Sequence, residues 1–280
     1  MTRALPRFLL TAAALAVPVV LIVLPFGSFL MSAFWTKEGS EIIREFSLAN
    51  FRDFFANATY VRVFLRTLLL CAQVTLIGLV IGYPVAYFIW RRRGAVRYLL
   101  LLAFVVPLFM SYIVKIYTMR SILGLNGFLN QILVGVGLLD KPSLVFLYNQ
   151  TSILVTMSVI FLPFVILPVF LSLDRIPRNL VEASADMGAG TFGTLRHVVV
   201  PLSLPGVVAG CLFTFVLALG DFVTPQMVGG PTGFTFGRVI WSQFGLAFNW
   251  PFGAAMGVVL LSVSILVILL AGVALRRQRV

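Results

Sequence analysis

The sequence predicts an all-α membrane protein with six transmembrane helices and a polar cytoplasmic segment between the fourth and fifth. Three observations carry that expectation. Hydrophobic residues make up 60% of the chain and charged residues 11%, with a mean hydropathy of +1.06. That leaves too little polar surface to coat a soluble globule. The apolar residues also gather into runs long enough to cross a hydrocarbon core of about 30 Å. Lysine and arginine, finally, concentrate on alternate connections, the pattern of a polytopic protein with one cytoplasmic face. A bundle in lipid is one cooperative unit whatever its length, so residues 1–280 read as a single membrane domain.

Arg3 and Arg7 precede a first apolar run over about 8–35, interrupted by Pro18 and Pro25. A basic start and an apolar centre also describe a signal peptide. This run exceeds the 7–15 residues of a signal's core and ends in no small-x-small site, so it reads as a first span. Residues 36–62 are polar and mixed in charge, an aqueous loop in which Ser47 is placed to cap a short helix through Phe54 and Phe55. Spans over about 63–90 and 98–117 flank a short basic turn with Arg91, Arg92, Arg93 and Arg97. Gly124, Asn126, Gly127, Gly135, Gly137 and Pro142 mark 118–143 as turns leading to a fourth span over about 144–173. A fifth span, about 205–223, starts with Pro205 in a first turn, where no amide donor is needed. A Gly/Pro-rich stretch follows, and the sixth span, about 254–275, ends in Arg276, Arg277 and Arg279.

Six spans put both termini on one side. That face collects 12 of the 21 basic residues: Arg3, Arg7, Arg91, Arg92, Arg93, Arg97, Arg175, Arg178, Arg196, Arg276, Arg277 and Arg279. Its acids are Asp174, Glu182 and Asp186, whereas the opposite loops mix nine basic residues with Glu38, Glu41, Glu45, Asp53 and Asp140. The positive face is the cytoplasmic one, with both termini on it. The net charge of +12 therefore reports topology and contact with anionic membrane lipid rather than nucleic acid. Cys71 and Cys211 lie in apolar runs without a CxxC pattern, so neither a disulfide framework nor a metal site is indicated.

The segment from Glu182 to Pro201 is soluble in character between two apolar spans. In lipid Glu182, Asp186 and Arg196 would each cost about 2.5–3.5 kcal/mol, so the segment faces water or protein. Residues 182–189 suit a helix of about two turns with Glu182 and Asp186 on one face, and Gly188 and Gly190 let the chain turn. Ala183, Ser184, Ala185 and Ala189 are small enough for close approach to a partner, and Met187 is an adaptable apolar plug. This is the shape of a docking element. No nucleophile is paired with a base, and His197, the one histidine, reads as structural.

With Glu182, Ala183, Ser184, Gly188, Val198, Val200 and Pro201 in place, the segment resembles the Glu-Ala-Ala signature of ABC importer permeases, with its spacing kept. Ser replaces the third small residue, and Val replaces Ile and Leu. The resemblance implies the type I permease fold, a coupling helix within 182–201, and a bacterial inner-membrane location. It implies as partners a dimer of ATP-binding subunits, a second permease subunit of the same or related sequence, and an extracytoplasmic solute-binding protein. ATP then belongs to those partners. The phosphate-binding pattern GxxxxGK[ST] is absent here, and the chain is expected to carry no cofactor, metal or catalytic residue of its own.

The likeness runs over nearly the whole chain and is nearest to spermidine/putrescine permeases, through 123–127, 219–223, 229–230, 240–244 and 250–255. Asp221 stands where Glu is common there, and Asn249 where Asp is common. Asp221, near the outer end of the fifth span, is the leading substrate-path residue, since a carboxylate at that depth points into protein or water. It would contact a cationic amine, pair with Lys115, or cap a re-entrant turn before Pro225. Trp241 and Trp250 would offer ring faces to an ammonium or anchor the membrane interface, with Gln243 beside them; Phe and Tyr along the spans read as packing. Permeases for other small solutes, amino acid-like or anionic, share several of these stretches. An autonomous secondary transporter would show matched broken helices and mid-membrane charges, which the sequence lacks.

Overall fold

The computed structural model describes residues 16–17, 19–39 and 41–277. The start of the expected first span, with Arg3 and Arg7, and the terminal Arg279 lie outside them. The described residues gather into two compact units, one formed by those up to Val61 with Val239–Ser262, the other by Arg62–Arg238 with those from Val263 onward.

In the first unit, α1 (Val19–Ser32) opens with a wide π-turn over Val19–Val23. The loop after it is more ordered than expected, a small exception within a mostly helical chain: β1 (Thr36–Glu38) and β2 (Glu41–Ile43) form an antiparallel hairpin with Thr36 opposite Ile43. The β-branched residues Thr36, Ile42 and Ile43 favour these extended pairings. The helix α2 (Ala49–Ala56) follows Leu48 rather than Ser47, though the Ser47 hydroxyl does accept from the Ala49 amide at 3.1 Å. Buried Asn50 donates to the carbonyls of Ala33 (2.9 Å) and Trp35 (2.7 Å), satisfying the frayed end of α1.

The second unit is built around α7 (Gln150–Asp174). Of its apolar window 61% is buried, against 11% for α12 (Trp250–Arg277), which makes α7 the central helix. Two neighbours approach it through glycine pairs four residues apart. On α3 (Ala58–Arg91), Cβ atoms added at Gly78 and Gly82 would sit 3.2 and 3.1 Å from Val165. On α9 (Thr191–Gly220), a Cβ at Gly206 would lie 2.4 Å from the Pro168 carbonyl oxygen, and one at Gly210 3.0 Å from the Val165 Cα. Small residues at this spacing let helix backbones close up where no hydrophobic drive separates lipid from protein. Val165, Ile166, Val169, Phe170 and Leu173 fill the seam with Ala86, Ile89 and Val199.

The expected third span is not one helix. The helices α4 (Ala95–Phe109) and α5 (Tyr112–Leu123) are separated by extended backbone at Met110 and Ser111, and the chain turns by 104°. Pro107 removes a backbone donor just before the break. The turns expected in 118–143 enclose a further helix, α6 (Phe128–Gly135). Buried Asn130 there donates to the carbonyls of Gly124 and Ser143 and accepts from the Ser143 amide. The fifth span also begins earlier than expected: α9 already starts at Thr191, so Pro205 lies inside it, and Pro201 opens its regular α-helical part after a π-turn over Leu195–Val199. By length and composition, four described helices can cross a membrane, five with the bent pair counted as one.

Candidate functional site

Two places in the second unit gather the sequence-predicted residues. The first is α8 (Arg178–Asp186), which begins four residues before Glu182. Glu182, Ala183 and Asp186 are exposed, and Ser184 on the opposite side is buried. The Ser184 hydroxyl lies 3.0 Å from that of Thr194, itself buried at the start of α9. That bond ties the short helix to the next span. Thr194 was not singled out from sequence, because nothing local distinguishes it from an ordinary helix hydroxyl.

The end of α8 explains Gly188. The Gly188 amide donates to the Ala185 carbonyl at 2.9 Å and the Ala189 amide to the Ser184 carbonyl at 3.1 Å, the paired bonds of a Schellman ending. This ending requires a left-handed residue, and Gly188 has φ +83°. Space is no issue, since a Cβ there would meet nothing within 4 Å. On either side of the turn, Met187 and Phe192 are 82% and 73% exposed, two large apolar side chains in open solvent. The His197 ring sits 3.0 Å from the Gly193 carbonyl, one turn back, consistent with a structural histidine. A π-turn over Leu195–Val199 takes up the backbone gap left by exposed Pro201, which has no amide to offer the previous turn.

The second place is Asp221, just past the end of α9 and 8% exposed. Its Oδ1 accepts from the amides of Val223 (3.0 Å) and Thr224 (3.1 Å), which open α10 (Val223–Val228). Its Oδ2 accepts from the Tyr112 hydroxyl at 2.6 Å, and that hydroxyl is 2.9 Å from Thr224 Oγ1. Asp221 thus caps the turn before Pro225, as one of the three expectations had it. It makes no ion pair with Lys115. The Lys115 ammonium instead stands 5.5 Å from the Tyr112 ring centroid. Both charged groups line a cavity of about 380 Å³ whose other walls include Phe161, Phe164 and Phe222. Tyr112 is therefore part of this site and not mere packing. It leads the helix after the Met110–Ser111 break, a position that sequence periodicity did not reveal.

Trp241 and Gln243, on α11 (Phe236–Gly245), and Trp250, at the start of α12, belong to the first unit. There the Gln243 carbonyl accepts from the Asn249 amide at 2.8 Å, and Trp250, 54% exposed, packs edge-on against Phe244 at 5.6 Å. The Asn249 side chain accepts from the Phe252 amide at 3.2 Å. Asn and Asp fill such a helix cap equally well, which accounts for the departure at this position without reference to solute.

The family described as binding-protein-dependent transport system inner membrane component matches residues 75–280. The spermidine/putrescine transport system permease protein PotB of Haemophilus influenzae is 34% identical over 227 residues, 81% of this chain and 79% of that protein. The inner membrane ABC transporter permease protein YdcU of Escherichia coli is 38% identical over 250 residues, 84% of this chain and 79% of that protein. Among solved structures, a bacterial ABC transporter involved in the import of the acidic polysaccharide alginate superposes with a TM-score of 0.77. The match covers 99% of this chain and 96% of the other at 18% identity, a likeness of fold. A bacterial alginate ABC transporter in complex with an alginate pentasaccharide-bound periplasmic protein gives 0.78 at 17% identity, over 99% of this chain and 96% of the other.

Proposed function

The chain belongs to the family of binding-protein-dependent transport system inner membrane components, and on that premise we propose that it forms half of the pathway by which an ATP-driven importer admits a polyamine such as spermidine or putrescine. The names of its PotB relatives support that solute class. ATP is bound and hydrolysed by a separate pair of subunits, a second permease completes the pathway, and a solute-binding protein delivers from outside. The charge distribution supports a bacterial inner-membrane protein of six spans with both termini cytoplasmic.

The observation that carries the coupling role is the construction of 178–201. A short, exposed helix is fixed at its C-terminal end twice over, by the Ser184–Thr194 bond and by the Gly188 turn, and it displays Glu182, Asp186 and Met187 to solvent. A segment so held transmits rigid-body movement between an ATPase and the span that follows. Glu182→Lys should abolish ATP-driven uptake in proteoliposomes while the protein still inserts, and a tagged wild-type chain should retain its ATPase partner in mild detergent. Uptake by this chain alone, without ATPase subunits, would refute the assignment.

One observation favours a second reading of the solute. The cavity beside Asp221 carries one acid and one base, Lys115, and so offers no net negative charge to a polycation; an amino acid-like solute suits that balance. Uptake of labelled putrescine, spermidine, amino acids and anions, each with the matched binding protein, separates the two.

A further inference from the structure

The turn between α3 and α4 meets the base of the coupling segment in a cleft of about 430 Å³, lined by Trp90, Arg91, Arg92, Arg93, Arg97 and Arg178 among others. Five arginines face two carboxylates there, Asp174 and Glu182, a surplus of three positive charges. Part of the charge is internally compensated. Arg97 pairs with Asp174 and lies over the Phe170 ring at 4.8 Å, and Arg92 lies over Phe88 at 4.2 Å. Arg93 and Arg178 have no hydrogen bond, ion pair or ring contact among the described residues, and the Arg97 Nε is buried without a partner. Between Arg93 and Arg97, α4 starts without a side-chain cap, leaving amide donors and a positive dipole end in the same turn. Unpaired guanidinium forks held together in a recess match the geometry of a phosphate group.

The surroundings choose among phosphates. Trp90 and Arg91 form the last turn of a 34-residue apolar helix, the level at which a span meets the headgroup layer. Next to the cleft Phe88, Val96, Leu99 and Leu102 are between 49% and 64% exposed, an apolar strip suited to acyl chains. We propose that this cleft binds the headgroup phosphate of an anionic phospholipid. The lipid bridges the α3–α4 turn to α8 through Arg93 and Arg178, so membrane charge steadies the coupling segment from its Arg178 end, where Glu182 also lines the cleft, while Asp186 and Met187 beyond the cleft stay open to the ATPase. The inference rests on the reading of this turn and α8 as one cytoplasmic face.

The test is made on the whole importer purified in detergent with equal phosphatidylglycerol and phosphatidylcholine, counting retained lipid by native mass spectrometry. The wild type should retain phosphatidylglycerol selectively. Arg93→Gln with Arg178→Gln, which leaves Arg91, Arg92 and Arg97 to hold topology, should weaken retention about 30-fold, roughly fivefold per arginine. The thermal midpoint and ATPase co-purification, measured on the same samples, check the fold and report on the coupling role independently of lipid. Undiminished phosphatidylglycerol in the double variant would overturn the proposal. So would displacement by millimolar inorganic phosphate, which marks a free-anion site, or lipid that appears only after the ATPase is stripped, which marks an acidic segment of the ATPase as the occupant.

Discussion

Replacing Gly188 by valine tests whether the coupling segment works through its backbone. Gly188 has φ +83°, a conformation that costs an L-residue about 1–2 kcal/mol, and a β-branched side chain sits at the upper end. No clash adds to this, because the position opens on empty space. A penalty of that size shifts the equilibrium of the ordered turn by about 5- to 30-fold. The apparent affinity for the ATPase falls by up to the same factor if only the ordered turn docks. Asparagine tolerates the left-handed region, so Gly188→Asn should recover most of the loss. The assay is ATP-driven uptake in proteoliposomes with matched permease content, alongside ATPase retention on a tagged permease. Valine activity equal to wild type would refute the argument. Asparagine as inactive as valine would refute it differently, by showing that the absence of a side chain matters, and not the backbone angle.

Gly206→Val forces a Cβ to within 2.4 Å of the Pro168 carbonyl oxygen, and should destabilise the α7–α9 seam by about 1–3 kcal/mol or more. A lower thermal midpoint in detergent would show it, with Gly272→Ala, at a site where a Cβ meets nothing, as the neutral control. Tyr112→Phe removes the 2.6 Å bond to Asp221 and should cost about 1.5–3 kcal/mol, the range for bonds to a charged acceptor; a loss below about 0.5 kcal/mol in a denaturation series would argue that Thr224 and the amides suffice. Asp174→Asn, although it breaks an ion pair, should cost under about 1 kcal/mol because the carboxylate is 47% exposed. His197→Ala should leave uptake within about twofold of wild type, its ring being exposed and bonded to a carbonyl one turn away.

Some of this was visible in sequence because it depends on neighbours along the chain. The apolar runs read over about 63–90, 144–173 and 254–275 fall on the helices α3, α7 and α12, with starts four to six residues away, since about twenty consecutive apolar residues in hydrocarbon favour a helix. The break at Met110–Ser111 was not legible: Pro107 is a warning, but helices in membranes often continue past proline. The glycine pairs 78/82 and 206/210 show their importance only in the packing, where each lies against α7.

For the candidate site the division has the same cause. Glu182, Asp186, Gly188 and Pro201 announce themselves by polarity, small size and spacing, properties that a linear string records. The role of Asp221 depends on Tyr112, 109 residues away, and on amides that exist as donors only once α10 forms. The hold on Ser184 likewise depends on Thr194, ten residues on, after a turn that only a left-handed glycine permits. The sequence by itself determined a membrane bundle and marked out the polar segment 182–201 within it, because hydropathy and charge act residue by residue. Only the tertiary structure decided that α7 lies at the centre, that Asp221 caps a turn in place of pairing with Lys115, and that the arginines of one turn share a cleft with α8. Those outcomes turn on distances between segments far apart in the chain, fixed by packing and not by composition.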